Sequence, residues 1–144
     1  MKRISLKQFG EIVARVMETL PNEFKPYIKN LVVDVEEEPD IKTLCQMEFT
    51  KKEIARGDSL FGLYVPMQAP PGGEAQDLDW PDRLIIYKRP LEEEFRTRKR
   101  LMIEIRKTVI HELAHHFGYE DKDLEKFDKN PDPFGDEIDQ ERAE

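Results

Sequence analysis

All three histidines of the chain fall within six residues, at His111, His115 and His116, in the stretch VIHELAHHFGYED at 109–121. His111, Glu112 and His115 spell H-E-x-x-H. On an α-helix, residues four apart lie about 40° from each other around the axis, on one face. Two imidazoles so placed can converge on one metal ion. Zinc accepts imidazole nitrogen well and keeps an open position in catalytic sites. Glu112 sits about 100° round from His111, beside such an ion rather than on it. A carboxylate there can take a proton from a water at the ion and pass it to a leaving amine.

The spacing continues as H-x-x-G-x-x-D, through Gly118 to Asp121. A glycine can take the left-handed conformation that ends a helix and turns the chain back. Asp121 is then delivered toward the same ion, and two imidazoles, a carboxylate and a water make a four-coordinate zinc site. The implied chemistry is hydrolysis of an amide bond. The competing account is a charged helix C-terminus, where histidines suit the dipole. It covers His115 and His116 but not Glu112 or Asp121, since acids are disfavoured there. His116 lies about 100° round from His115, so it is expected to pack beside the site or orient a neighbour.

These residues need a helix that stops at Gly118. Met102, Ile105, Val109 and Leu113 supply its apolar stripe, and Glu92–Glu94 are expected in its first turn, where acids suit the dipole. The run RTRKR at 96–100 then reads as a solvated helix face, paired through Glu92–Arg96 and Glu94–Arg98. Upstream, Ser5 and Gln8 have capping-box spacing, and Leu6, Phe9, Ile12, Val13, Val16, Met17 and Leu20 mark an amphipathic helix ending at Pro21. Three strands are expected: LVVDVEEEP, with Val33 and Val35 on one face; LFGLYVP at 60–66; and RLIIYKRP, ending at Pro90. Gly62 either weakens the second strand or marks a close backbone approach. That strand could offer an edge to an extended substrate, although an ordinary core strand is the preferred reading. NEFKPYIKN reads as a short helix or turn, 41–57 is ambiguous, 67–82 reads as a long loop, and a short helix is expected at 122–128.

With 144 residues the chain is long enough for one domain with a modest core; 129–144 is an acidic stretch expected to fray. The net charge of −8 argues against nonspecific nucleic-acid binding and against anionic membrane surfaces. No run approaches 18 apolar residues. The N-terminal residues lack a signal peptide's apolar region. The single cysteine, Cys45, permits no intrachain disulfide and reads as a small core residue. The cytoplasm is the expected location. An oxyanion donor would complete an amide hydrolase. Tyr119, after the glycine turn, is preferred over Tyr64 and Tyr87, and Tyr87 reads as strand packing. Trp80, before a proline, is expected to pin its loop.

TVIHELAHHFGYED, with its double histidine and F-G pair, resembles the small bacterial zincin-like metallopeptidase family, and LFGLY and WPDRLIIYKRP resemble that family's strands before the site. The resemblance covers most of residues 5–128. It implies an α+β minimal zincin-like fold: a small mixed sheet packed with an N-terminal helix and a long active-site helix. It implies metal positions at His111, His115 and Asp121 and a catalytic position at Glu112. The extended motif also looks like that of the metzincin proteases, with aspartate for the third histidine. Metzincins carry a methionine turn after the motif, whereas every methionine here lies upstream of it. The expectation is a zinc-dependent peptidase acting on a peptide or protein, with no nucleic-acid or membrane partner. The alternatives are a metal-stabilised binding module of the same shape without turnover, and hydrolysis of a non-peptide amide.

Overall fold

The expected capping box forms at the start of α1, Leu6–Glu18: the Gln8 N–H donates to Ser5 Oγ at 3.1 Å, and the Ser5 N–H donates to Gln8 Oε1 at 2.9 Å. The computed structural model describes residues 3–66 and 81–135. A 3-10 turn, Asn22–Phe24, runs into the short α2, Lys25–Ile28, which tolerates Pro26 because its first turn needs no donor there. Then come β1, Leu31–Glu36; α3, Ile41–Gln46; α4, Lys51–Ala55; β2, Gly62–Val65; β3, Asp82–Tyr87; α5, Lys88–Glu94; α6, Arg98–His116; and α7, Asp121–Phe127.

The three strands form one mixed sheet in the order β1-β3-β2. β1 runs parallel to β3, with Val33 opposite Leu84; β2 runs antiparallel to it, with Tyr64 opposite Leu84. β3 is therefore central, and Leu84, Ile85, Ile86 and Tyr87 are all buried. Leu84 and Ile86 join one core cluster with Phe9, Ile12, Val13 and Val16 of α1 and the expected α6 stripe of Met102, Ile105, Val109 and Leu113. Val33 and Val35 pack against that cluster from β1. The chain is thus an α+β fold in which α1 and α6 cover the small sheet.

Several expectations are corrected. The ambiguous stretch after Pro39 forms two short helices, capped by Asp40 and Thr50, with a full capping box between Thr50 and Glu53. Cys45 lies on the first of them and is exposed rather than in the core. The strand expected to reach Pro90 stops at Tyr87, and Pro90 sits in the first turn of α5. The helix carrying the site does not begin at Glu92. α5 ends at Glu94, Phe95 is extended, and Thr97 caps a new helix by accepting from the Arg100 N–H at 3.1 Å. The break lets Phe95 meet Phe61 edge-on, with ring centres 5.6 Å apart. Glu92 consequently pairs back to Lys88 at 3.2 Å rather than forward to Arg96, and it also accepts the Ile4 N–H at 2.9 Å. Both charged groups of this pair are buried, so their partners offset a desolvation cost. Within the basic run, Arg100 reaches Glu104 at 2.6 Å and Lys99 reaches Asp132 at 3.1 Å.

Arg106 is 3% exposed, at the middle of α6. Its guanidinium donates to both Asp128 oxygens, at 2.8 and 2.9 Å, and to the Thr19 carbonyl at 3.0 Å. It thereby joins the end of α1 to the end of α7. Phe134 is buried in the core cluster, and residues 136–144 lie outside the described residues. Trp80 and most of the long loop also lie outside them. Among the described residues, no helix is long and apolar enough to cross a membrane.

Candidate metal centre

α6 ends as the glycine spacing requires. Gly118 takes φ +82°, with open space where a Cβ would stand. The Tyr119 N–H reaches back to the Ala114 carbonyl at 2.8 Å, and the Gly118 N–H to the His115 carbonyl at 3.4 Å. This paired closure satisfies the last carbonyls of the helix and reverses the chain. Asp121 then opens α7, whose first turn also holds Asp123. Acids there are favoured by the dipole of α7, so Asp121 has a helical reason for its position as well as a chemical one.

The reversal brings Asp121 to the exposed face that carries His111 and His115. The two imidazole rings lie 4.1 Å apart, and one ligand atom from each of the three residues lies within 4.8 Å of the others. Ligand atoms on a tetrahedral zinc with bonds of about 2.1 Å stand about 3.4 Å apart. All three side chains are exposed, and a small rotation of each would close them on an ion. Two imidazoles and a carboxylate are also a donor set that zinc accepts.

Glu112 is more enclosed. Burial pushes its carboxyl pKa up, while a positive charge on His115 and the Tyr64 N–H act in the opposite direction. The contact with Tyr64 follows from the sheet register. The Tyr87 N–H donates to the Phe61 carbonyl at 2.9 Å, so the main-chain groups of Phe61, Leu63 and Val65 face β3. Those of Gly62 and Tyr64 point the other way. Among the described residues β2 is thus an edge strand, not the ordinary core strand preferred from the sequence. Gly62 marks a close approach: a Cβ there would meet Thr108 Cγ2 of α6 at 2.8 Å. Between β2 and α6 opens a cleft of about 320 Å³ lined by Ser59–Gly62, Lys107, Thr108, His111 and Glu112.

His116 lies outside the three-residue cluster. Its ring stacks on that of Tyr64, with centres 3.8 Å apart and planes 20° apart. Tyr64 donates its hydroxyl proton to Asp82 Oδ2 at 2.5 Å, and His116 Nε2 lies 3.7 Å from the same oxygen. Tyr119 packs edge-on against Phe24 and Phe127, and its hydroxyl hydrogen-bonds to that of Tyr27 at 2.6 Å. That hydrogen bond raises the Tyr119 pKa. Tyr27 also stacks on Phe117 at 4.2 Å. Tyr87 is buried on β3, as its alternation suggested. Tyr27 and Asp82 were not singled out from the sequence, and no local spacing marks either one.

A family model described as a zincin-like metallopeptidase matches residues 28–130. A solved structure of a conserved hypothetical protein from Thermo thermophilus is similar, with a TM-score of 0.51 and 23% identity over 79% of this chain and 94% of that one. The likeness is one of fold. No curated protein matches the chain.

Proposed function

The chain belongs to the zincin-like metallopeptidase family, and from that premise we propose that it is a zinc-dependent peptidase in which Glu112 is the general base. The observation that carries the reading is the convergence of His111, His115 and Asp121, with Glu112 one residue along the same helix. These three residues would hold the ion. A bound zinc supplies a Lewis acid that makes a water nucleophilic near neutral pH and polarises a carbonyl.

The rest is the work of the chain. Glu112 removes a proton from the attacking water onto a carboxylate oxygen and then delivers it to the leaving amine. The cleft beside it admits an extended peptide. The edge of β2 that faces away from β3, at the Gly62 main-chain groups and the Tyr64 carbonyl, is where such a peptide adds as a further strand. Work in the cytoplasm belongs to the same reading, on the strength of a single cysteine, which permits no intrachain disulfide.

The test is metal content per chain, followed by hydrolysis of a peptide library. About one zinc per chain, lost in His111→Ala, is expected for a single three-ligand site. Glu112→Gln is expected to keep zinc and lose hydrolysis by at least ~100-fold. Full turnover by Glu112→Gln refutes the assignment of the base. Zinc binding without any hydrolysis by the wild type points instead to a metal-stabilised binding module.

A further inference from the structure

Tyr64 of β2 is fixed from outside its own strand. Its ring lies flat on His116, from the last turn of α6. Its hydroxyl is held by Asp82, from the first position of β3. Asp82 also faces His116, so ring, carboxylate and imidazole brace one another. Burial and the Asp82 contact both keep the Tyr64 hydroxyl protonated, as a donor to that carboxylate must be. The opposite end of the same residue, its main-chain N–H, points away from β3 and acts on Glu112. Fixing the ring therefore fixes where that N–H stands over the carboxylate.

A carboxylate has two oxygens and several lone pairs, and it rotates freely unless a donor selects one orientation. A general base must meet its proton at hydrogen-bond distance, and a displacement of about 1 Å in such a group can cost on the order of 100-fold in rate. We propose that His116 and Asp82 clamp Tyr64 so that its N–H orients the Glu112 carboxylate. His116 and Tyr64 are then positioning residues for the base. This rests on the reading of Glu112 as base, and it gives the second histidine of the HH pair a task. With its ring stacked on Tyr64 and Nε2 turned toward Asp82, His116 neither ligates the ion nor transfers a proton.

The test uses the zinc-loaded full chain and three variants. His116→Ala removes the stacking surface, His116→Phe keeps a flat ring without nitrogens, and Tyr64→Phe removes only the bond to Asp82. His116→Ala is expected to lower kcat by about 10- to 100-fold with KM and zinc content nearly unchanged. His116→Phe is expected to recover most of that loss, and Tyr64→Phe to fall between. Amide hydrogen exchange reads the clamp without any turnover. Protection at the Tyr64 N–H should fall in both His116→Ala and Glu112→Ala, while Leu63 and Val65, bonded to β3, keep theirs. The proposal is overturned if His116→Phe is as slow as His116→Ala with zinc retained, since a ring nitrogen would then be at work. It is overturned equally if His116→Ala loses zinc, or if it leaves kcat and Tyr64 exchange unchanged. If the wild type hydrolyses nothing, the peptidase reading fails while the exchange result still decides the clamp.

Discussion

Replacing Gly62 with alanine tests how the cleft is built. The φ of Gly62 lies outside the left-handed region, so the change brings no intrinsic backbone strain and its whole effect is steric. The new Cβ would stand 2.8 Å from Thr108 Cγ2, 3.3 Å from the Ile85 carbonyl oxygen and 3.4 Å from Ile86 Cδ1. Carbon atoms in good contact lie about 3.5–4.0 Å apart, so β2 and α6 must separate by roughly 0.7 Å or more, or Thr108 must turn. Thr108 resists turning because its hydroxyl donates to the Glu104 carbonyl at 2.8 Å. Overpacking of this kind costs about 1–3 kcal/mol, less about 0.4–1 kcal/mol regained because alanine restricts the unfolded chain. The net expectation is a loss of about 0–2.6 kcal/mol.

Thr108→Ser removes only the clashing methyl and keeps the hydroxyl. In the Gly62→Ala background it should return much of the loss, although the two contacts with β3 remain. Urea unfolding of the wild type, both single variants and the double variant gives the coupling directly, provided the denaturant slope is constant. A favourable coupling near ~1 kcal/mol is expected. Additivity within about 0.3–0.5 kcal/mol would refute the claim that Gly62 exists to let β2 approach α6. The lost approach should also be felt two residues along the strand, as weaker protection of the Tyr64 amide.

Three further perturbations follow from the same geometry. Glu112 has its pKa raised by burial, so the folded state binds its proton more readily than the unfolded chain does, and stability falls as pH rises from the ordinary carboxylate range through the raised value. In metal-free protein Glu112→Gln should therefore melt higher than wild type at about pH 7, with the gap closing as pH falls below 4.5, and a gap independent of pH would contradict this. Gly118→Ala meets no atom within 4 Å but must hold φ +82°, so a loss of about 1–2 kcal/mol is expected from the backbone alone, with Gly118→Asn milder, both read by thermal melting. Arg106→Ala leaves Asp128 facing a vacated, largely buried site, and a loss of about 3–5 kcal/mol in urea unfolding is expected.

What the sequence makes legible depends on range along the chain. The capping box at Ser5, the apolar stripe of α6 and the stop at Gly118 are set by residues three or four apart, and the structure forms all three. The presence of strands and helices follows from their patterns, and the mixed sheet from the family resemblance. The break at Phe95 is not legible, because the charge of the acids at 92–94 favours a helix start, whereas they close the end of α5. The partners that decide between them, Ile4 for Glu92 and Phe61 for Phe95, are remote in sequence. The two helices after Pro39 do carry a local signal, the capping-box spacing of Thr50 and Glu53, though their apolar pattern is ambiguous. Exposure of Cys45 follows from the packing of those helices and has no local cue. Neighbouring spacing places His116 beside the ion site. Its bracing by Tyr64 and Asp82 cannot be read that way, because those residues come from two strands brought together by the sheet.

The position of β3 bears on how the chain is made. Among the described residues it is the last strand in sequence and the middle one in space. β1 leaves the ribosome roughly 45 residues before β3, a delay of about 2–9 s at about 5–20 residues per second. During that interval neither β1 nor β2 has its neighbour, and both present unpaired apolar edges. Short strands limit this hazard, and here they are six and four residues long. When β3 emerges, β2 closes a connection of roughly 16 residues, about 0.9 kcal/mol cheaper in loop entropy than the connection to β1. The antiparallel pair, which includes the strand bordering the cleft, is thus expected to assemble first and β1 to be added last.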